Sequence, residues 1–298
     1  MTPKENRSIE IRWHGRGGQG AVTSAELVAL AAIAEGKFAQ GFPSFGPERR
    51  GAPVLAFNRI SDTEIIRNRA GVAHPDIVVV LDPGLLDIID VTLGLKETGT
   101  VIINTPRSLA DMRSELGGKV WVVVVNARAI AKEKLGVPIV NTTMLGALIK
   151  VTGVVSLESI TEVLKERFGN RAKNNIEACY QAYNETLVAE PDVSLEKPEK
   201  PLVTEKLPSW WELLPGCIVT EPQSARESRT GDWRSQRPLW NQERCIKCGI
   251  CYLFCPEACI KQDKDGYFEA DLYYCKGCGI CFRECWTEAV TMVEEAKL

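Results

Sequence analysis

Short apolar runs alternate with longer segments of mixed polarity over the first 190 residues. The runs are rich in Val and Ile and are bounded by Gly, Pro, Asp or Asn; they are SIEIRWHG, PDIVVVLDP, TGTVIINT and GKVWVVVVN. Such runs are typical of parallel strands that are buried on both faces. We expect the first of them to lead directly into a glycine-rich turn.

Two of the intervening segments have the pattern of an α-helix. GAVTSAELVALAAIAEG has small residues where it would pack on a sheet, and SLESITEVLKERFG has apolar residues at 157, 160, 163, 164 and 168. The second segment also has a capping residue in Ser156 and a glycine stop in Gly169. Together, these strands and helices predict an α/β fold with an open, mostly parallel sheet for residues 1–190.

The pattern is lost between residues 191 and 240. This segment holds seven of the 16 prolines, and four of the 7 tryptophans: Trp210, Trp211, Trp233 and Trp240. Proline-rich segments without periodicity are typical of linkers, whereas indole rings favour burial. We therefore expect an extended strap that lies against partner subunits. The alternative is a tail packed over its own domain.

Residues 241–298 contain an internal repeat. CIKCGICYLFCPEACI recurs as CKGCGICFRECWTEAV, and each copy has the spacing C-x2-C-x2-C-x3-C. Bacterial ferredoxins use this spacing; three cysteines of each run bind one 4Fe–4S cluster, and the fourth binds the other cluster. The repeat therefore predicts a small α+β ferredoxin domain with two 4Fe–4S clusters.

The predicted ligands form two sets of four. One set is Cys245, Cys248, Cys251 and Cys285, and the other is Cys275, Cys278, Cys281 and Cys255. A pair of zinc sites is the alternative, but zinc ribbons separate their C-x2-C pairs by a longer arm. Trp286 stands where the first run has Pro256, and we interpret Cys259 as a small buried filler.

Gly15, Gly17 and Gly20 have the spacing G-x-G-x-x-G. A dinucleotide-binding fold would place an acidic residue about 20 residues further on. The stretch KFAQGFPSFGPE has none before Glu48, which disfavours NAD binding. The turn either meets a phosphate at a helix N-terminus or lets a strand and a helix approach closely. We assign no catalytic or cofactor-binding residue here, and no role to His14 or His74.

Composition limits the class of partner. The net charge of −3 at pH 7 gives no sign of a nucleic-acid partner. No apolar run reaches the roughly 20 residues that span a bilayer, and the N-terminus lacks the apolar core of a signal peptide. We therefore expect a cytoplasmic protein without a membrane partner. In that compartment, clustered cysteines more often bind metal than form disulfides.

Several separated motifs resemble one family. HGRGGQGAVTSAELVALAA, FPSFGPERRGAPVLAFNRISD and NTTMLGAL are similar to the gamma subunit of the 2-oxoacid:ferredoxin oxidoreductases. GDWRSQRPLWNQERCIKCGICYLFCP is similar to the start of their delta subunit, a two-cluster ferredoxin. The resemblance implies a fused gamma–delta subunit that transfers electrons, in which the glycines form a structural turn or one that faces a neighbouring subunit.

The resemblance also implies partners. In this family, thiamine diphosphate and its magnesium lie in alpha and beta subunits, where a 2-oxoacid is decarboxylated. Electrons would then pass through the two clusters of this chain to an external ferredoxin. Pyruvate is the expected substrate, with oxalate and other 2-oxoacids as alternatives. The rival functions are a self-contained NAD- or flavin-linked ferredoxin reductase and a structural iron–sulfur scaffold.

GPERRGAP is the most charged motif of the gamma-like part. One interpretation is a solvated turn with Glu48 and Arg49 at the surface. The other is a contact, through Arg49 or Arg50, with the catalytic subunits or with an anionic ligand such as coenzyme A. The sequence favours neither.

Overall fold

The computed structural model describes residues 8–44, 51–192, 194–195, 209–216, 218, 220 and 222–295. The chain divides into two compact units, Met1–Glu199 and Lys200–Leu298. The division falls inside the segment rich in proline and tryptophan. Among the described residues, no helix is long and apolar enough to cross a lipid bilayer.

The first unit is built on a seven-stranded sheet. Its strands are β1 (Ile9–Arg16), β2 (Phe38–Pro43), β3 (Pro53–Ser61), β4 (Ile77–Val80), β5 (Thr100–Asn104), β6 (Trp121–Val125) and β7 (Leu187–Ala189). Its helices are α1 (Ala21–Ala34), α2 (Leu109–Leu116), α3 (Ala127–Leu135), α4 (Asn141–Thr152), α5 (Leu157–Phe168) and α6 (Ala172–Glu185).

The strand order is β2-β3-β1-β4-β5-β6-β7. The pairs β1–β4, β4–β5 and β5–β6 are parallel. Strand β3 is antiparallel to both β1 and β2. The edge strand β7 is antiparallel to β6. Five of the seven strands therefore run in one direction, which confirms the predicted open, mostly parallel sheet.

Both faces of the central strands are buried. Val79 lies in a core that also contains residues of α1, α3, α4, α5 and α6. Its neighbours Val78 and Val80 lie in a second core with Met112 and Leu116 of α2. Because successive side chains of a strand point to opposite faces, a strand between two cores needs an unbroken apolar run.

The helix predicted from SLESITEVLKERFG is α5. The Ser156 hydroxyl accepts a hydrogen bond from the N–H of Ser159 at 3.1 Å and caps the helix, and Gly169 follows its last residue. Both boundary signals in the sequence are confirmed.

A buried amide connects α1 to the sheet. Asn58 on β3 is fully buried, and its Oδ1 accepts a hydrogen bond from Trp13 Nε1 on β1 at 2.8 Å. Its Nδ2 donates to the carbonyl oxygen of Ala25 on α1 at 2.7 Å and to that of Gln40 on β2 at 3.2 Å. Buried polar groups are stable only with such partners, so Asn58 helps to fix the positions of these four elements.

His14 lies on β1 and is 5% exposed. Its Nε2 accepts a hydrogen bond from Arg12 Nε at 3.0 Å. Burial, and secondarily the charge of Arg12, lowers the pKa of His14 to about 3. The imidazole of the folded protein is therefore neutral at pH 7.

His14 should make the first unit sensitive to acid. The unfolded chain protonates this histidine below about pH 6.5, whereas the folded chain does so only near pH 3. Its contribution to stability is therefore complete above pH 6.5 and declines as the pH falls toward 3. The loss is about 2 kcal/mol at pH 5. In His14→Gln, the difference between the free energies of unfolding at pH 7 and pH 5 should be smaller by that amount.

Urea unfolding at the two pH values, followed by far-ultraviolet circular dichroism, measures this difference. His74 is the other of the 2 histidines and is exposed, so His74→Gln is the matched control and should behave like the wild type. An unchanged pH dependence in His14→Gln would contradict the prediction.

Candidate metal centre

The second unit is an internal duplication. Its strands are β8 (Gln236–Trp240), β9 (Ile260–Gln262), β10 (Phe268–Ala270) and β11 (Val290–Glu294), and its helices are α7 (Ile250–Leu253) and α8 (Ile280–Arg283). Each half consists of a strand, a cysteine run with one short helix, and a second strand. The small sheets and helices confirm the predicted second fold.

Each of the two small sheets pairs a strand of one half with a strand of the other half. The strand before the first cysteine run, β8, pairs with the strand after the second run, β11. The strand after the first run, β9, pairs with the strand before the second run, β10. Each pairing brings the fourth cysteine of one run next to the first three cysteines of the other.

Glycines shape the loops between the cysteines. Gly249 and Gly279 immediately precede α7 and α8 and have φ of 72° and 80°. Gly277 has φ of 63°, and a Cβ there would collide with the carbonyl oxygen of Gln236. The first repeat has Lys247 at the corresponding position with φ of 62°. The Lys247 ammonium donates to the carbonyl oxygen of Asp265 at 2.7 Å.

The eight predicted ligands line two cavities. Cys245, Cys248, Cys251 and Cys285 line the first cavity, together with Trp240, Phe268 and Val290. Cys255, Cys275, Cys278 and Cys281 line the second, together with Pro238 and Ile260. The empty volumes, open mouths included, are about 320 and 340 Å³.

The donor set of each cavity suits an iron–sulfur cluster. Each cavity is lined by four of the predicted ligands, three from one run and one from the other, and the second cavity is also lined by Cys259 and by the ion pair of Glu257 and Lys276. Bacterial ferredoxins divide their ligands in this way. Among the described residues, no three His, Cys, Asp or Glu side chains converge closely enough to hold a single metal ion. Ligation by these cysteines stays a prediction.

The cysteine environments differ between and within the sets. Burial raises the pKa of Cys281 to about 12. A hydrogen bond with Cys259 lowers the pKa of Cys275 to about 6 and raises that of Cys259. Burial acts to raise the pKa of Cys285, but hydrogen bonds from Thr287 and the backbone outweigh it and lower that pKa. A metal competes with protons for each thiolate, so loading should depend on pH.

Two side chains next to the predicted ligands receive no site role from the sequence: Cys259 is interpreted there as a small buried filler, and Thr287 has no assignment. Cys259 is 4% exposed, and its sulfur lies 3.6 Å from that of Cys255. The Thr287 hydroxyl lies 3.6 Å from the sulfur of Cys285. Cys259 lies four residues after Cys255, and Thr287 lies two residues after Cys285. This spacing was the only signal in the sequence.

Close packing accounts for two of the glycines of the first unit. Gly20 has φ of 84°, and a Cβ there would lie 2.6 Å from Asn141 Nδ2. A Cβ at Gly15 would lie 3.2 Å from Leu81 Cδ1. The Gln19 side chain accepts from the N–H of Arg16 at 2.8 Å and donates to Asp82 at 2.6 Å. The turn thus joins β1 and α1 where other parts of the chain approach closely.

The charged motif GPERRGAP and the two cysteines outside the repeat, Cys179 and Cys217, belong to neither set of four. Glu48, Arg49 and Arg50 lie outside the described residues, as does Cys217. Cys179 is buried on α6, and burial raises its pKa to about 12, so its thiol stays protonated at neutral pH.

The tryptophans of residues 191–240 have different environments. Trp210 and Trp211 are 77% and 69% exposed in the isolated chain. Trp240 ends β8, and the Lys276 ammonium lies 4.6 Å from the centre of the Trp233 ring. Nearby, the N–H of Gly231 donates to the carbonyl oxygen of Tyr273 at 2.8 Å. The part nearest the cysteine runs is thus packed within the second unit.

Both units match known families. Residues 10–185 match the family described as pyruvate ferredoxin/flavodoxin oxidoreductase, and residues 239–292 match the family described as a 4Fe–4S dicluster domain. The two matches follow the order of the predicted gamma–delta fusion and confirm that resemblance.

Several relatives are similar to the first part of the chain. The common gamma subunit of the pyruvate/ketoisovalerate oxidoreductases of Thermococcus kodakarensis is 53% identical over 184 residues, which are 61% of this chain and 99% of that protein. Pyruvate synthase subunit PorC of Methanothermobacter thermautotrophicus is 53% identical over 178 residues, which are 59% of this chain and 95% of that protein.

A solved structure is similar to the first part of the chain. The pyruvate oxidoreductase subunit PORC of Thermotoga maritima is 39% identical with a TM-score of 0.55, and the alignment covers 62% of this chain and 99% of that one.

Because the first family match spans more than half of the chain, the protein belongs to the pyruvate ferredoxin/flavodoxin oxidoreductase family and carries a 4Fe–4S dicluster domain after the family domain.

Proposed function

We propose that this chain is the electron-transfer subunit of a thiamine diphosphate-dependent 2-oxoacid:ferredoxin oxidoreductase. One observation carries the proposal: eight cysteines line two cavities in sets of four, within a chain whose first unit belongs to the oxidoreductase family. A protein with this combination can connect a catalytic partner to an external electron acceptor.

The eight cysteines would hold two 4Fe–4S clusters. When bound, such clusters accept and release electrons one at a time. The chain would supply the thiolate ligands, and Trp240, Phe268 and Val290 form an apolar wall of one cavity. Since Cys251 and Cys255 line different cavities and are four residues apart, the two redox sites are close neighbours.

The remaining chemistry belongs to partners. Alpha- and beta-type subunits would hold thiamine diphosphate and magnesium and would decarboxylate the 2-oxoacid, with coenzyme A as a candidate acyl acceptor. The names of the relatives favour pyruvate, and ketoisovalerate is a second candidate because the names of several gamma-subunit relatives include it. An external ferredoxin would receive the electrons.

The exposed tryptophan pair supports a contact with the catalytic subunits. The rings of Trp210 and Trp211 pack edge to face with their centres 5.2 Å apart. Leu213 and Leu214 follow and are also more than half exposed. Large side chains of this kind dominate the binding energy of protein interfaces. We assign this segment to the interface with the alpha- and beta-type subunits, as expected of the strap.

The first prediction concerns metal content. Chain isolated without air should contain about eight irons and eight acid-labile sulfides. Cys278→Ala removes a ligand from one set and should lower both counts by about half. Cys179→Ala, a buried cysteine of the first unit, is the control and should leave them unchanged. Iron, sulfide and zinc analyses measure the result, and stoichiometric zinc would contradict the two-cluster prediction.

The second prediction separates electron transfer from decarboxylation. In assembled complexes, Cys278→Ala or Cys248→Ala should reduce steady-state ferredoxin reduction by about tenfold or more. Carbon dioxide release in a single turnover should persist, because its chemistry lies in other subunits. We choose Cys278 over Cys255 for this substitution, because the thiol of Cys259 lies beside Cys255 and could replace it as a ligand.

Cys179→Ala complexes control for assembly and should keep the full rate. A full ferredoxin rate in assembled Cys278→Ala complexes would show that electrons bypass this chain. Reduction of the isolated chain by NADH would support the rival ferredoxin reductase, and failure of the wild-type chain to be reduced reversibly would support the scaffold.

The third prediction concerns assembly. Replacing Trp210 and Trp211 together by Ser should weaken binding to the catalytic subunits by about thirtyfold or more, since interface anchors contribute at least about 2 kcal/mol. The double Tyr variant keeps the aromatic surface and should retain most of the affinity. Co-purification and titration of the subunits measure this. Equal affinity of the Ser variant and the wild type would place the interface elsewhere.

A further inference from the structure

The two fourth cysteines have different neighbours. Cys255 and Cys285 each close the set of four that belongs to the other run, and each has a hydrogen-bonding side chain 3.6 Å from its sulfur. For Cys255 the neighbour is the Cys259 thiol, and for Cys285 it is the Thr287 hydroxyl.

The chemistry of a ligand decides which atom donates. A cysteine bound to iron is a thiolate and has no proton, so it can only accept a hydrogen bond. The donor must then be the thiol of Cys259 in one half and the hydroxyl of Thr287 in the other. A thiol is the weaker donor of the two.

The duplication does not repeat these donors. With the thirty-residue offset of Cys245 and Cys275, Cys259 corresponds to Ala289, which cannot donate from its side chain, and Thr287 corresponds to Glu257. Ala289 is 1% exposed, so the site of the missing thiol is filled by a methyl group. Glu257 is paired with Lys276 at 2.7 Å. The ligands are thus duplicated, whereas the donors beside them are not.

We propose that Cys259 and Thr287 are positioning residues that adjust the reduction potentials of the two clusters independently. Cys259 does so through a hydrogen bond to Cys255 or Cys275, which belong to the same set, and Thr287 through one to Cys285. This inference rests on the proposed function, because it requires that both sets of cysteines hold a reducible cluster. Under this inference Cys259 adjusts a cluster potential and is more than a small buried filler.

The direction of the effect follows from charge. Reduction adds negative charge to a cluster and its thiolates, and a hydrogen bond to a thiolate stabilises the more negative state. Loss of the donor should therefore lower the potential of the cluster to which that cysteine belongs. The other cluster, which has its own donor, should keep its potential.

The test is a reductive titration of the full-length, cluster-loaded chain, followed by electron paramagnetic resonance. Cys259→Ala should shift the reduction equilibrium of one cluster toward the oxidised form by roughly three- to tenfold, where tenfold equals about 59 mV for a one-electron couple. Thr287→Val, which keeps the shape and removes the donor, should shift the other cluster in the same direction.

Conservative variants distinguish donation from packing. Cys259→Ser supplies a hydroxyl and should hold the potential of its cluster at or above the wild-type value. Thr287→Ser keeps the hydroxyl that Thr287→Val removes, so its cluster should have the wild-type potential. In the double variant Cys259→Ala/Thr287→Val, both clusters should shift. If Cys259→Ala loses iron, Cys259→Ser and Thr287→Val still decide the question.

Two results would overturn the inference: unchanged potentials in iron-replete Cys259→Ala and Thr287→Val, or a shift of the same cluster in both. Absence of any reducible cluster in the wild-type chain would instead contradict the proposed function. The two failures are therefore distinguishable in one experiment.

Discussion

The second unit depends on one constraint, which is that each cysteine run completes the cavity of the other. The antiparallel pairs β8–β11 and β9–β10 satisfy it, because each joins the strand before one run to the strand after the other. Neither half supplies all four predicted ligands of either cavity, so each cavity requires both halves. The same constraint explains why residues 236–240 belong structurally with the cysteine runs.

This constraint acts on the ligands and leaves their surroundings free to differ. Lys247 replaces the glycine of the other repeat, Trp286 replaces Pro256, and the side chains beside Cys255 and Cys285 differ in chemistry. Trp286 is 70% exposed, so its ring lies at the surface of the isolated chain. A duplicated fold can thus hold two sites of the same donor set in unequal environments, and hydrogen bonding and exposure are two of the factors that set cluster potentials.

The oxidoreductase family domain and the predicted cluster ligands lie in different parts of the chain. The match to the oxidoreductase family lies in the first unit, whereas the match to the 4Fe–4S dicluster domain and all eight predicted ligands lie in the second. The relatives that match over 95% or more of their own length correspond to only about 60% of this chain. Joining the two parts covalently fixes their ratio at one to one.

The sequence by itself determined the features that depend on local pattern. A strand buried on both faces requires a continuous apolar run, which revealed β4, β5 and β6, and the cysteine spacing indicated two sets of four. Only the tertiary structure decided the features whose partners are distant. Asn58 needs acceptors and donors on three other elements. Strand β8 contains Pro238, which an edge strand tolerates. In the sequence, however, a proline in this segment indicates a linker. The contact between Cys259 and Cys255 depends on the turn that joins them, because residue spacing specifies which atoms are near along the chain and folding specifies which atoms meet.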